Sequence, residues 1–151
     1  MHKMKIANRI LFFLFSTVTL SCINNRQLDD LSKAGVVANK FHAFWTNGDI
    51  DSIKYLFSDN FYSRKDTSHI LATLKTVTKE FGVITTQQYI SGKIRSDSRT
   101  QMSTILLVYK VKSDSGDLKE TFTFSFKDNF IAKIDSMSFD FWNDRILQEV
   151  L

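Results

Sequence analysis

Apolar residues recur every three or four positions between residues 28 and 45, which predicts one long amphipathic helix. The stripe consists of Leu28, Leu31, Ala34, Val37, Ala38, Phe41, Phe44 and Trp45. Gly48 supplies a left-handed end for this helix. Asp49 is placed to cap a second, short helix whose buried side is Ile50, Ile53, Leu56 and Phe57. A third helix is expected from about Asp66 or Thr67 to Phe81, ending at Gly82.

After Gly82 the apolar period changes from about 3.6 residues to two, which predicts strands. Four of them are expected, at residues 83–95, 101–112, 118–127 and 130–142. Polar or glycine-bearing turns separate them, at residues 96–98, 114–117 and 128–129. In the third strand Phe122, Phe124 and Phe126 alternate with small polar residues, as a sheet covered on one face requires.

In the last predicted strand, the alternation of apolar and polar residues shifts by one position partway along. Ala132 and Ile134 precede the change, and Met137, Phe139 and Phe141 follow it. A bulge near Asp135 would account for the slip. Residues 143–151 are expected to form a C-terminal tail.

Helices followed by an antiparallel meander predict an α+β fold with the helices on one face of the sheet. The segment FHAFWTNGDIDSIKYLFSDNF, residues 41–61, followed by a helix and four strands, resembles the nuclear-transport-factor-two-like (cystatin-like) superfamily. The resemblance runs from residue 28 to residue 142 and implies a curled four-stranded sheet wrapped on the first helix, with residues 30–142 as one domain. The superfamily includes enzymes, transport adaptors and many lipoproteins, so the resemblance leaves the activity open.

The first 21 residues have the layout of a secretory signal: a basic start, an apolar run and a small polar end. The apolar run is too short for a spanning helix, which needs about 20 residues. Thr19-Leu20-Ser21-Cys22 resembles a bacterial lipobox, with Thr19 where an aliphatic residue is usual. This resemblance implies lipidation of Cys22, a polar tether at 22–29 and an anchor in the cell envelope. Ile23, in place of a retaining aspartate, favours the outer membrane where one exists.

Charge and composition limit the classes of partner that the chain can bind. Lys3, Lys5 and Arg9 lie in the predicted signal, so removing these three from the 20 basic residues leaves 17 against 16 acidic ones. No basic cluster remains to follow a phosphate backbone, and we expect no nucleic acid binding. The chain has a single cysteine, which excludes an internal disulfide. It has no proline.

The sequence offers little for metal, cofactor or nucleophilic chemistry. His42 and His69 are the only histidines after the leader and lie on different predicted helices. No metal-ligand spacing, nucleotide loop or nucleophile elbow is present. We therefore expect no metal and no cofactor.

Candidate pocket residues come from the implied space between the sheet and the helices. They are Trp45, Tyr55, Gln88, Tyr89, Tyr109 and Asp135. Gln88 is expected to face inward in phase with Ile84, Ile90 and Ile94. If the carboxylate of Asp135 or the imidazole of His42 is buried in this space beside a tyrosine hydroxyl, the two groups could support acid–base chemistry.

Residues 88–92, QYISG, resemble the Gln-x-Val-x-Gly hairpin of cystatin protease inhibitors, but the Pro-Trp pair of that family's second loop is missing. A strand bulge at Gly92 is the simpler interpretation.

The favoured hypothesis is a non-catalytic, lipid-anchored domain that binds a small apolar ligand or a protein partner, with a homodimer through the open sheet face as one arrangement. The alternatives are a small isomerase- or dehydratase-like enzyme using the same space and, more weakly, a protease-inhibitor-like module.

Overall fold

The computed structural model describes residues 25–63, 65, 67–127 and 131–142. The predicted signal, the lipidation site Cys22, the turn at 128–129 and the tail at 143–151 lie outside the described residues.

The first helix, α1, spans Asn25–Thr46 and presents the predicted apolar stripe to the interior. Ala34, Ala38 and Phe41 are fully buried along it. Leu28, predicted to begin the stripe, is 65% exposed, so the buried face starts one turn later. The helix also includes residues 25–29 of the predicted tether.

Short helical pieces follow α1, and their capping residues determine where they begin. Gly48 takes a positive φ of 71°, and the carboxylate of Asp49 accepts a hydrogen bond from the backbone N–H of Ser52, so both predicted roles are confirmed. Helix α2 is Ile50–Ile53, a 3₁₀ turn covers Lys54–Leu56, and helix α3 is Asp59–Tyr62. Helix α3 was not predicted from the sequence. Ser58 caps it by accepting a hydrogen bond from the N–H of Phe61 at 3.1 Å.

Helix α4 spans Thr67–Phe81 as predicted, and Gly82 ends it with a φ of 81°. Ile70, Leu74 and Val77 form its buried ridge. Its C-terminal end is joined to the turn between the second and third strands, where the N–H of Ser115 donates to the carbonyl of Phe81 at 3.0 Å.

Four antiparallel strands form an open sheet in the order β1-β2-β3-β4. Strands β1 to β3 are Ile84–Asp97, Met102–Ser113 and Gly116–Phe126, each within two residues of the prediction. The predicted α+β class, helices followed by an antiparallel sheet, is therefore confirmed. The helices cover the inner face of the sheet, and hydroxyl and charged side chains dominate the other.

The fourth strand, β4, is shorter than predicted and spans Ser136–Phe141. The phase slip is not a bulge within one strand. Ile134 instead forms an isolated parallel bridge with Phe57, and pairing with β3 begins only after Asp135. The chain therefore changes partners at Asp135, which places that residue at a junction.

Strand β1 contains two irregularities, between Ile84 and Thr86 and between Tyr89 and Ser91. Each inserts a residue and reverses the side-chain phase. Gln88 consequently pairs with Lys110 on the outer face and is exposed, so its predicted inward orientation is wrong. The expected bulge near Gly92 occurs just before it, at Ile90.

Aromatic rings fill the space between α1 and the sheet. The ring of Phe41 meets that of Phe122 edge to face at 5.2 Å between centroids and also contacts Phe57 at 6.4 Å. Trp45 packs on Phe139 at 5.5 Å. This interlocking of two chain segments far apart in sequence forms the centre of the core.

We expect Phe41→Ala to destabilise the domain by about 3–5 kcal/mol, because it removes a fully buried ring whose cavity the neighbours cannot close. Urea denaturation measures the change. Val36→Ala on the same helix is the control, since Val36 is 52% exposed and should change the free energy of unfolding by about 0.5 kcal/mol or less. Equal midpoints for the two variants would contradict the packing described.

Candidate functional site

A row of four residues crosses the inner face of the sheet, one from each strand. Strand pairing aligns Tyr89 with Tyr109, Tyr109 with Glu120, and Glu120 with Phe139. We call these four residues the inner row. Directly paired residues of antiparallel strands point to the same face, so the row places a carboxyl group among aromatic rings under α1.

Helix α1 brings His42 onto the inner row. Ala34, Ala38 and His42 follow one another at four-residue spacing, and the two alanines let the helix approach the sheet closely. The Nε2 atom of His42 lies 2.5 Å from Oε2 of Glu120. His42 is 6% exposed and Glu120 is fully buried.

The charge on Glu120 is poorly compensated. Burial raises the pKa of the Glu120 carboxyl, and the hydrogen bond and charge of His42 act in the opposite direction. Its second oxygen, Oε1, is buried and has no hydrogen-bond partner within the described part of the chain. A carboxyl with one partnered and one unpartnered oxygen in the core costs stability, which marks this pair as a candidate for function.

Tyr109 borders the pair and shares its environment. Its ring meets that of His42 edge to face at 4.9 Å. Burial, the neighbouring charge of Glu120 and then Tyr89 raise the pKa of Tyr109 to about 12, so its hydroxyl stays protonated and neutral at neutral pH.

The inner row reaches solvent at Tyr89, which is 53% exposed. The Tyr89 hydroxyl lies over Gly92, where a Cβ would stand 2.7 Å from it and 2.9 Å from Leu31 of α1. Glycine at this position therefore admits both the tyrosine and the helix. The row runs from a half-exposed tyrosine inward to a buried carboxyl that is hydrogen-bonded to an imidazole, and an acid–base pair of this kind can accept or donate a proton.

A cavity of about 210 Å³ lies beside the junction residue Asp135, and we call it the Asp135 cavity. Its walls are Phe61, Lys65, His69, Ile70, Thr73, Asp135, Ser136 and Met137. Asp135 is 4% exposed, and one of its carboxylate oxygens accepts a hydrogen bond from the hydroxyl of Ser58. Lys65 and His69 are exposed at its edge, with Nζ of Lys65 2.9 Å from Nε2 of His69.

A second cavity, of about 330 Å³, lies among the helices, and we call it the Trp45 cavity. Trp45 and Ile50 form one wall, and one face of α4 forms the other. That face consists of Leu71, Leu74, Lys75, Thr78 and Lys79. The floor is apolar and the rim carries two ammonium groups.

The six predicted pocket residues do not share one space. Trp45 and Asp135 line the two different cavities, whereas Tyr89 and Tyr109 adjoin each other in the inner row. Tyr55 is 68% exposed and Gln88 lies on the outer face. The QYISG segment pairs with β2 in the middle of β1 and forms no hairpin turn.

Sequence reasoning missed Glu120, the most buried ionisable residue described. A signal was present, because Glu120 has the same phase as Leu118, Phe122 and Phe124 in the most regular strand. A charged residue at an inward position of such a strand predicts a buried carboxyl. Lys65, Lys75 and Lys79 gave no comparable signal, since lysine on an exposed helix or loop surface is ordinary.

No three histidine, cysteine, aspartate or glutamate side chains in 25–63, 65, 67–127 and 131–142 lie close enough to hold a metal ion. Within the same ranges, no helix has the length and apolarity needed to cross a membrane.

Neither a protein-family model nor a curated protein sequence matches the chain. The side-chain geometry of the inner row and the two cavities is therefore the basis for a functional proposal.

Glu120→Gln should change how stability depends on pH. Because burial raises the pKa of Glu120, the folded protein keeps this proton to a higher pH than the unfolded chain does. The stabilisation is complete below the unfolded glutamate pKa of about 4.3 and is lost as pH rises through the folded-state pKa. The variant does not titrate, so its free energy of unfolding should rise relative to wild type by at most about 1.4 kcal/mol per pH unit.

Urea denaturation at intervals from about pH 4 to about pH 8 measures this difference, since the linkage slope is set by proton uptake alone. Glu80→Gln, an exposed change on α4, is the matched control and should follow the wild-type profile. A Glu120→Gln profile parallel to wild type would show that Glu120 does not titrate differently on folding.

Proposed function

We propose that the chain is a lipid-anchored, non-catalytic domain of the cell envelope that binds a small apolar molecule with an anionic end. The Trp45 cavity carries this proposal. Its volume of about 330 Å³ falls in the range of small-molecule sites, about 300–1,000 Å³. Such sites combine apolar walls with a few polar groups that fix orientation, and this cavity has that composition.

The walls of the Trp45 cavity favour an apolar body in the ligand. Trp45 is 9% exposed and Leu74 is 2% exposed, so both are held in place by the core behind them. Leu71, Leu74, Lys75 and Thr78 share one helix face through their three- and four-residue spacing. A ligand in this space would cover apolar surface without any rearrangement of the core.

The rim of the Trp45 cavity favours an anionic end. Lys75 and Lys79 lie one turn apart on α4 at the exposed edge, and none of the described residues that line the cavity is acidic. Two ammonium groups beside apolar walls match a carboxylate or a similar anion on a short hydrocarbon chain. Each exposed pair adds only about 0.2–1 kcal/mol, so the apolar contact supplies most of the affinity.

We further propose that the fold is that of the nuclear-transport-factor-two-like superfamily, with the sheet curled as a cone around α1. The long first helix on the inner face, the short helices after it and the open four-stranded meander support this assignment. Two irregularities in β1 support it as well, because bulges increase local bending and twist.

The proposed lipid anchor is supported by the sequence of the predicted signal peptide. Its three-part layout and the lipobox-like Thr19-Leu20-Ser21-Cys22 support lipidation of the only cysteine in the chain. Cys22 precedes the first residue of α1 by three positions, so a lipid there would hold the domain close to the membrane surface. Outer-membrane placement and a homodimer through the open sheet face are part of the same proposal.

The inner row favours a second candidate function, proton transfer on a small apolar substrate. His42, Glu120 and Tyr109 combine an imidazole hydrogen-bonded to a carboxyl group with a neutral tyrosine hydroxyl. Against this function, neither the Trp45 cavity nor the Asp135 cavity reaches His42 or Glu120, and aromatic rings surround the pair. The two candidates separate by mutation, because Glu120→Gln would abolish such turnover and leave binding in the Trp45 cavity intact.

Octanoate should bind in the Trp45 cavity and change the fluorescence of Trp45. A Trp142→Phe background leaves Trp45 as the single tryptophan of the chain. In that background Thr78→Phe should block the mouth of the cavity and abolish the change in Trp45 fluorescence. Thr76→Phe, an exposed change on the same helix outside the cavity, is the control.

Replacing both rim lysines by glutamine should weaken octanoate binding by about two- to thirtyfold, while octan-1-ol should bind both forms equally. An octanoate response that survives Thr78→Phe would contradict the site, and equal weakening of octanol would contradict the role of charge.

Cys22→Ala should remove the anchor. The lipid needs the thiol, and without it the protein should accumulate unprocessed or leave the detergent phase in a Triton X-114 partition. Ser21→Ala keeps a small residue before the cysteine and serves as the control. Lipidation of Cys22 would be contradicted if the Cys22→Ala protein matched wild type in both detergent partitioning and intact mass.

A further inference from the structure

We propose that the ligand of the Trp45 cavity is a long-chain fatty acid, whose hydrocarbon chain leaves the cavity and continues over two adjoining aromatic rings, Phe81 and Phe141. We call these two residues the Phe81–Phe141 patch. The inference rests on the function proposed above, because it takes the Trp45 cavity as the binding site, and it adds the class of ligand and a second contact surface.

The Phe81–Phe141 patch presents aromatic surface to solvent. Phe141 pairs with Leu118, which places it on the inner face of the sheet, yet it is 74% exposed. Its ring meets that of Phe81, the last residue of α4, edge to face at 5.3 Å between centroids. Single exposed apolar side chains are ordinary on a protein surface, whereas apolar surface that continues a cavity is typical of ligand grooves.

Helix α4 joins the cavity to the patch along one wall. Leu74, Thr78 and Phe81 follow one another at four- and three-residue spacing, so they lie along one side of the helix. Leu74 and Thr78 line the cavity, and Phe81 extends the same side by one further turn. From Leu71, where the lining begins, to Phe81 the helix provides a wall about 15 Å long at 1.5 Å per residue.

Strand β4 joins the cavity to the patch along the opposite wall. The ring of Trp45, which lines the cavity, packs on that of Phe139 at 5.5 Å between centroids. Phe139 and Phe141 are two residues apart on β4 and therefore point to the same face of the sheet. Because Phe141 then meets Phe81, the two walls converge at the patch, which lies directly beyond the cavity.

The cavity volume sets the chain length at which the patch becomes useful. A volume of about 330 Å³ holds about eleven groups of the size of a water molecule, at about 30 Å³ each. Octanoate has ten non-hydrogen atoms and fits, whereas dodecanoate has fourteen and does not. The surplus methylene groups would be exposed to water unless they cover apolar surface, and the patch offers that surface beside the cavity.

Area and charge favour a fatty acid over a second copy of the chain at the patch. Two aromatic side chains contribute about 300–500 Å² even when completely covered, and a stable protein interface buries about 800 Å² on each partner. The rim lysines Lys75 and Lys79 lie within one or two turns of Phe81 on the same helix. They supply the positive charge that a carboxylate head group needs, next to the apolar surface that its chain needs.

The test compares octanoate with dodecanoate on the full-length protein in detergent micelles, followed by Trp45 fluorescence in the Trp142→Phe background. Phe141→Ser removes the exposed ring and should weaken dodecanoate binding about tenfold. Octanoate, which ends inside the cavity, should bind this variant within about twofold of its affinity for the parent protein. Both proteins are measured at one detergent concentration, so partition of the fatty acid into micelles cancels in each ratio.

Two further variants control for the fold and for general loss of aromatic surface. Phe141→Leu keeps an apolar side chain and should retain dodecanoate affinity within about threefold. Tyr55→Ser removes a ring that is 68% exposed and does not line the cavity, so it should bind both fatty acids as the parent protein does. Since Phe141 is mostly exposed, Phe141→Ser should leave the free energy of unfolding within about 0.5 kcal/mol of the parent value.

The outcomes separate this inference from the function on which it rests. No octanoate response in the parent protein would overturn the binding function and the inference together. Octanoate binding combined with a dodecanoate affinity that Phe141→Ser leaves unchanged would overturn the chain extension alone. A lower molar mass for Phe141→Ser than for the parent protein in light scattering would assign the patch to a second copy of the chain and would also overturn the inference.

Discussion

The close contact between α1 and the inner face of the sheet is the constraint on which the other features depend. Ala34 and Ala38 have no side chain beyond Cβ, and Gly92 leaves room for Leu31, so the helix lies directly on the strands. Only at this distance can the ring of Phe41 reach Phe122 and the imidazole of His42 reach Glu120. Larger side chains on the alanine ridge would lift the helix and separate both pairs.

The same contact explains why a carboxyl group is tolerated in the core. Glu120 lies where aliphatic or aromatic residues would pack as well, and one of its oxygens lacks a partner among the described residues. His42 offsets part of the desolvation cost, and the raised pKa allows the group to become neutral. Replacing such a pair with apolar residues is often neutral or stabilising in other proteins. Stability alone therefore does not account for its presence, and this is why the inner row supports a second candidate function.

The features predicted from sequence are those that local chemistry determines. Gly48, Asp49 and Gly82 fixed helix ends correctly, because capping depends on a few adjacent residues. Gln88 and the last strand were misplaced, because a bulge in β1 and the bridge from Ile134 to Phe57 depend on pairing with distant segments. The cavities are harder still to predict, since Trp45 and Lys79, or Lys65 and Asp135, meet only after the chain has folded. Glu120 was also missed, although strand alternation alone is enough to predict that it points inward.

Space for a ligand lies at the margins of this domain because its centre is filled. Phe41, Phe122 and Phe124 are fully buried between helix and sheet, and this packing leaves ligand space on either side of α4. The buried ridge of Ile70, Leu74 and Val77 holds α4 to the core. One flank of the helix then faces Trp45 and the other faces Asp135. A single well-packed helix thus forms walls of two cavities with different charges, and neither needs a void in the core. Sites of this kind can diverge in their lining residues without loss of the fold, because the residues at their rims contribute little to stability.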